Sequence, residues 1–366
     1  MAAEKVHQVY RKANFITEDL RNQILSKTFS PGERLPTRDA LVEKYGVGKV
    51  TVQRAVKILM DEGFVEARVG RGTIISERSP HLVRYAMLFP QSQEMTERNQ
   101  FWLALIREAQ RFEDKREVEI HYGFEGGQGV DRYNKLVNDV ENGRLAGLIF
   151  ASAPAGLKNT PLLASPGIPR AAFMSTHPVF DIPNVMMDGT ALHQKIVKYT
   201  LTQNCHRIAL IASDHQSIES VGRIKEVFES HGLSINPDWI HGVSRVEPGW
   251  AKSLTRLLMA DSSDKRPDCL VVLDDNLVPV IAETLKEINI IPPHDIKLVA
   301  HCNFPWPTPS VVPAMRMGFC ITELLRSLMQ QIDDQQEGRI PKRNIVINAY
   351  DELDYPGHIQ ECEESR

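Results

Sequence analysis

The chain has 366 residues, 42% of them hydrophobic and 25% charged, a balance that excludes a disordered polypeptide and leaves room for two or three domains with their own cores. Its five cysteines are scattered without a CxxC pair or metal-ligand spacing, which argues against a disulfide framework or a zinc site and for a reducing, cytoplasmic setting with no cofactor. Residues 1–80 carry 14 Lys+Arg against 10 Asp+Glu, leaving 29 against 37 for the rest, so a mildly basic head precedes an acidic body.

In chain order, residues 1–14 lack the apolar core of a signal peptide, and the uncharged run 145–157 is too short and too rich in Ala, Ser, Gly and Pro to span a bilayer. Residues 14–27 put Phe15, Ile16, Leu20, Ile24 and Leu25 on one helical face, and SPGERLP ends that helix. Thr37 is the expected N-cap of a short second helix over 38–44, followed by the tight turn YGVG. A third helix over 48–62 turns Val52, Ala55, Val56 and Leu59 inward and Val50, Gln53, Arg54 and Lys57 outward. Gly63 closes it, FVEARV reads as a strand, and GRG turns back into TIIS, a hairpin with Arg71 and Gly72 at its tip. A basic helix beside such a hairpin suits a duplex, the helix in the major groove and the tip near the minor groove or phosphates.

From Pro31 to Ser76 the sequence resembles the GntR family of winged helix-turn-helix regulators, with the loop, turn, third helix and wing in register. The resemblance implies DNA contacts from Arg38, Lys49, Val50, Thr51, Gln53, Arg54, Arg71 and Gly72. Two departures matter. Where that family usually reads Leu-Pro-Ser-Glu-Arg, this chain has Asp39 in the arginine's place and Arg38 one residue earlier; and Gln53 stands where arginine is common, favouring adenine over guanine.

After ERSPHLVR, a polar linker, short apolar runs alternate with amphipathic stretches. Strands are expected at YAMLFP, VEIHYGF, LAGLIFAS, RAAFMS, NVMMD, RIALIAS, CLVVLDD, IKLVAH and NIVINAY, with amphipathic helices between most of them, for example at 101–116, 130–141, 191–202, 217–231 and 277–288. About nine strands in 270 residues imply two parallel-sheet subdomains with the ligand at strand carboxyl ends. The expected fold is a small α+β winged helix-turn-helix domain followed by an α/β body of two doubly wound parallel-sheet subdomains, periplasmic-binding-protein-like. Boundaries are expected at 1–78 for the head, 79–84 for the linker, 85–350 for the body and 351–366 for a solvated acidic tail.

The body's blocks NQFW, AGLIF, VMMDGTALHQKIVKYTLTQNCHRIALIAS and PDCLVVLDDNLVPVIAETLKEINIIPPHDIKLVAH resemble the LacI family's effector domain in order and spacing. The resemblance implies a cleft lined by Phe101, Trp102, Ser152, Asp188, Ser220, Arg223, Asp275 and Asn303, with Asp275 the main anchor for ligand hydroxyls. Carboxylates accept from adjacent sugar hydroxyls and aromatic rings cover the C–H face of a pyranose. Ser220 stands where that family has arginine, and Ala300-His301-Cys302-Asn303 replaces a Gly-Phe-Asp-Asp block.

GFEGGQG, residues 123–129, lacks both a P-loop ending and a GxGxxG, and is read as a cleft-mouth loop; His294, His301 and Cys302 have no metal spacing. Together these readings make the chain a non-enzymatic, homodimeric repressor of bacterial transcription, binding operator DNA and a small molecule, most simply a mono- or disaccharide. The alternatives are a body sensing a purine or peptide, and a head fused to an enzyme such as an aminotransferase, for which the chain is short.

Overall fold

The computed structural model describes residues 2–111, 116–124, 130–174, 180–213 and 218–360. In the head, α1 (Ala2–Leu25), α2 (Arg38–Tyr45) and α3 (Lys49–Asp61) pack around Ala13, Ile16, Leu20, Leu41, Val52, Ala55 and Leu59. Thr37 caps α2 by accepting from the Ala40 amide, and Gly46, at φ 60°, ends it in the left-handed conformation that favours glycine. The wing is the antiparallel pair β1 (Val65–Arg68) and β2 (Gly72–Ile75), registered so that Val65 faces Ile75.

Helix α1 starts twelve residues before the expected residue 14, because residues 2–13 are mostly good helix formers with neither glycine nor proline. Phe15, expected inward, is 64% exposed: the buried stripe runs through Ala13, Ile16, Leu20 and Ile24, and Phe15 lies 100° from Ile16. The stretch at 79–84 is a structured joint. Its helical turn α4 (Pro80–Val83) follows a buried Ser79 whose hydroxyl donates to the carbonyls of Phe64 and Ser76, and His81 stacks on Phe64.

The body continues with β3 (Arg84–Leu88), α5 (Gln93–Glu97), α6 (Gln100–Arg111), β4 (Glu117–His121), α7 (Val130–Glu141), β5 (Gly147–Phe150), α8 (Pro161–Ala164), β6 (Arg170–Phe173) and β7 (Asn184–Met187). Next come α9 (Gly189–Thr202), β8 (Ile208–Ser213), α10 (Ile218–Ser230), β9 (Ile240–Val243), α11 (Pro248–Leu258), β10 (Cys269–Val272), α12 (Val278–Glu287) and β11 (Lys297–Phe304). Then follow β12 (Met315–Cys320), α13 (Ile321–Gln336), β13 (Asn344–Ile347) and β14 (Ala349–Asp351). They form two six-stranded sheets, ordered β13-β7-β6-β5-β3-β4 and β14-β12-β11-β10-β8-β9, parallel except for β14. The chain crosses between the subdomains after β7, after β12 and between β13 and β14, so three segments form the hinge.

Three expectations are corrected here. NIVINAY is two strands, one in each sheet, divided at Asn348. Strands β9 and β12 were not among the expected strands; β12, MRMGFC, has no β-branched residue, and Gly318 within it lies so close to the Cys302 carbonyl that a Cβ would collide. The acidic tail is docked as far as it is described. Tyr355 stacks on Phe304 at 4.5 Å, Lys195 pairs with Asp351 and Asp354, and the Gln360 amide donates to the Pro305 carbonyl. Residues 361–366 lie outside the described part.

Candidate DNA-binding face and effector cleft

The exposed side of α3 presents Lys49, Val50, Gln53 and Lys57, while Val52, Ala55 and Leu59 hold the helix to α1 and α2. Thr51, expected at the duplex, is buried on the inner face. Arg54 sits at the edge of the outer face, its guanidinium carbon 3.2 Å from the centroid of the Tyr10 ring. Gly70 and Gly72 take positive φ at the wing tip, leaving Arg71 exposed between them, and Arg38 is exposed at the start of α2.

Asp39, the departure noted in the second helix, pairs with Lys49 at 2.8 Å, and that hydrogen bond and charge hold its carboxyl below the usual range. A carboxylate on this face repels phosphates and occupies a lysine that would otherwise meet one. Asp39→Asn is therefore expected to tighten binding to selected and scrambled duplexes alike, and to steepen the log K against log salt slope by about 0.9 for each additional phosphate neutralised. Salt titration of both duplexes checks this; an unchanged slope contradicts it.

In the body, the parallel strands aim their carboxyl ends at the space between the subdomains. Asp275, just beyond β10, is 3% exposed; its Oδ2 accepts from Asn303 Nδ2 and from the Thr308 hydroxyl at 3.5 Å. Burial first, and the charge of Asp274 second, push its pKa up to about 8. Asn303 is buried, and its Oδ1 has no hydrogen-bond partner among the described residues.

Phe101 and Trp102 lie in the first turn of α6: Phe101 meets Phe173 at 4.9 Å, and Trp102 packs edge-on to Phe89 at 6.0 Å. The same turn bridges the subdomains, since the Gln100 amide donates to Asn276 Oδ1 at 2.9 Å. Farther along, Glu108 accepts from the Trp306 indole at 3.0 Å and from the Thr322 hydroxyl at 2.7 Å. Ser152 follows β5, half-buried. Asp188 caps α9 through the Ala191 amide; beside it, burial and then the Arg223 charge push His193 down to about 4, with Asp188 opposing. Ser220 falls on α10 with its side chain outside the description, as are residues 125–129 of the expected cleft-mouth loop.

Asp275 and Asn303 are thus joined directly. Asp274, Asn276 and Thr308 belong to the same neighbourhood but were missed: Asp274 was visible as the neighbour of Asp275, whereas Thr308 sits in a proline-rich loop with no local signal.

A charged junction binds the head to the body. Glu62, at the carboxyl end of α3, pairs with Arg21 of α1 at 2.6 Å and with Arg144 of the body at 2.5 Å. Arg144 also pairs with Asp139 at 3.2 Å, and Arg21 donates to Asn142 at 3.0 Å. Lys27 reaches the Gln336 carbonyl at the end of α13, and Arg78 pairs with Glu117. Arg144 stands three residues before β5, the strand that leads to Ser152.

A winged head carrying a basic helix, on two parallel-sheet subdomains about a three-segment hinge, defines a DNA-binding transcriptional regulator with an effector domain. Residues 12–75 match the gntR family of bacterial regulatory proteins and residues 197–348 match the periplasmic binding protein-like domain, so the chain joins those two modules. It is 21% identical over 346 residues to an arabinose metabolism transcriptional repressor of Halalkalibacterium halodurans, covering 87% of this chain and 90% of that one. A repressor of the same description from Geobacillus stearothermophilus is 21% identical over 378 residues, covering 92% and 97%. Among solved structures, a LacI family transcriptional regulator from Lactobacillus casei with bound glucose superposes with a TM-score of 0.55 at 13% identity, covering 74% of this chain and 98% of that one, which supports the fold.

Proposed function

We propose that the chain is a cytoplasmic, homodimeric repressor that releases operator DNA when a mono- or disaccharide closes the body around itself. The observation that carries the sugar reading is the buried Asp275–Asn303–Thr308 group at the strand ends, together with the aromatic first turn of α6. Carboxyl and amide oxygens accept from vicinal hydroxyls, and aromatic rings suit the C–H face of a sugar. The naming of both full-length relatives as arabinose repressors, and the glucose bound to the Lactobacillus casei regulator, support the same ligand class.

Dimerisation is favoured because a single head of this size presents one half-site surface. Helix α11 supplies a face for a second copy: Trp250 and Leu257, 68% and 71% exposed, are seven residues apart and so share one stripe. Release would use the charged junction, because closure that shifts β5 moves Arg144 and with it the carboxyl end of α3.

Thermal-shift measurement against pentoses, hexoses, disaccharides, nucleobases and short peptides tests the ligand class. A sugar is expected to raise the melting temperature, with a stabilisation of about 2.7 kcal/mol at a hundredfold excess over its Kd. A shift with nucleobases or peptides alone replaces the sugar reading with another effector.

A further inference from the structure

We propose that Tyr10 is a specificity-determining residue of the DNA-binding face: it positions Arg54 for guanine recognition beside Gln53. The inference rests on the reading of α3 as the base-reading helix. Tyr10 lies on the early part of α1, outside the gntR-matched region that begins at residue 12. Its ring faces the Arg54 guanidinium with 3.2 Å between the ring centroid and the guanidinium carbon. The early part of α1 also runs along the turn and first residues of α3, where Gln8, Val9 and Lys12 border an open groove with Gly48, Lys49 and Val50.

Lys49 and Lys57 are held by carboxylates, those of Asp39 and Asp61. Arg54 is held by an aromatic face instead. The difference matters at a duplex. A carboxylate neutralises its cation and competes with the nucleic acid, whereas an aromatic ring attracts the cation without cancelling its charge and leaves the in-plane N–H donors available. An arginine side chain is long and loses much rotamer freedom when it reads a base, so a stack that already fixes its plane removes part of that cost before DNA arrives. The guanidinium fork pairs with guanine O6 and N7, while the neighbouring amide of Gln53 suits adenine N6 and N7. Tyr10 thus acts through Arg54 and has no need to touch DNA.

The test uses the full-length protein and a duplex that it selects from a random library. Affinity for that duplex and for a scrambled one is measured at one salt concentration for wild type, Tyr10→Phe, Tyr10→Leu, Arg54→Ala and the Tyr10→Leu/Arg54→Ala double variant. Tyr10 is 45% exposed, so leucine is tolerated, and equal melting temperatures verify it. Tyr10→Leu is expected to lower the selected-to-scrambled ratio about three- to tenfold, Tyr10→Phe to keep it, and the double variant to match Arg54→Ala. Library selection repeated with Tyr10→Leu is expected to relax a guanine position and leave an adenine position unchanged.

The proposal is overturned if leucine preserves the ratio, if leucine tightens binding to the selected duplex, or if the double variant loses further specificity beyond Arg54→Ala. The first result makes the stack irrelevant, the second makes Tyr10 a sequestering residue, and the third makes it a direct contact. If Gln53→Ala and Arg54→Ala both leave the ratio unchanged, the base-reading assignment of α3 itself fails, separately from the role of Tyr10.

Discussion

An Asp275→Asn variant is expected to melt higher than the wild type at pH 8 and to lose its response to the effector. Burial, then the charge of Asp274, raise the Asp275 pKa to about 8 from 3.8. Between those values the folded chain retains a proton that the unfolded chain has released, so stability from this group is complete below about pH 4 and falls as pH rises. Above about pH 8 that contribution is fully lost. Asparagine carries no such penalty and can still accept from Asn303. The gain at pH 8 is on the order of several kcal/mol, about 5 °C or more in melting temperature, and the decline between pH 4 and 8 flattens. The same change replaces the carboxyl group that the sugar hydroxyls would meet, an O–H donor as well as an acceptor while it keeps its proton, with an amide of different donor geometry, so the effector-induced shift disappears. Melting curves at pH 5, 7 and 8 with and without sugar check both halves; a variant no more stable at pH 8 shows that Asp275 is better solvated than its burial implies.

Breaking the junction is expected to uncouple the two modules. In Arg144→Ala, Glu62 keeps Arg21 but loses its link to the body, and Asp139 loses its closest arginine. Removing one member of a buried charge set is costly, about 3–5 kcal/mol when burial is complete and less at this partly solvated site. That loss should appear as undocking of the head, because Arg144 contributes to the head–body contact and the remaining Arg21–Glu62 pair lies within the head. Operator affinity should then become nearly independent of effector, whereas effector binding at the body remains. Arg144→Lys keeps the charge and loses the fork, and should fall between. Unchanged coupling in Arg144→Ala would send the signal by another route, through α4 or the Lys27–Gln336 contact.

Much of the head was readable because its signals are local. Thr37 caps α2, Gly46 ends it and Gly63 follows α3, each within a few residues of the element it punctuates. The alternation of strands and helices in the body was similarly plain. What escaped depended on distant partners. Strand β12 gains its place by parallel pairing with β11 at Gly318, and the tail is held by Phe304 and Lys195. The site divides the same way. Asp275 and Asn303 were identifiable as positions, but the bond between them spans 28 residues; the stack of Tyr10 on Arg54 and the bridge from Glu62 to Arg144 join residues that no local pattern relates.

The central claim is that effector binding in the body lowers the affinity of the head for operator DNA. Titration of wild-type protein with a library-selected duplex, with and without a saturating amount of the sugar found by thermal shift, tests it most directly. The expected result is a weakening of about 5- to 150-fold, matched by an equal weakening of sugar binding when the duplex is saturating. Equal operator affinity in the two titrations, or tighter binding in the presence of the sugar, contradicts it.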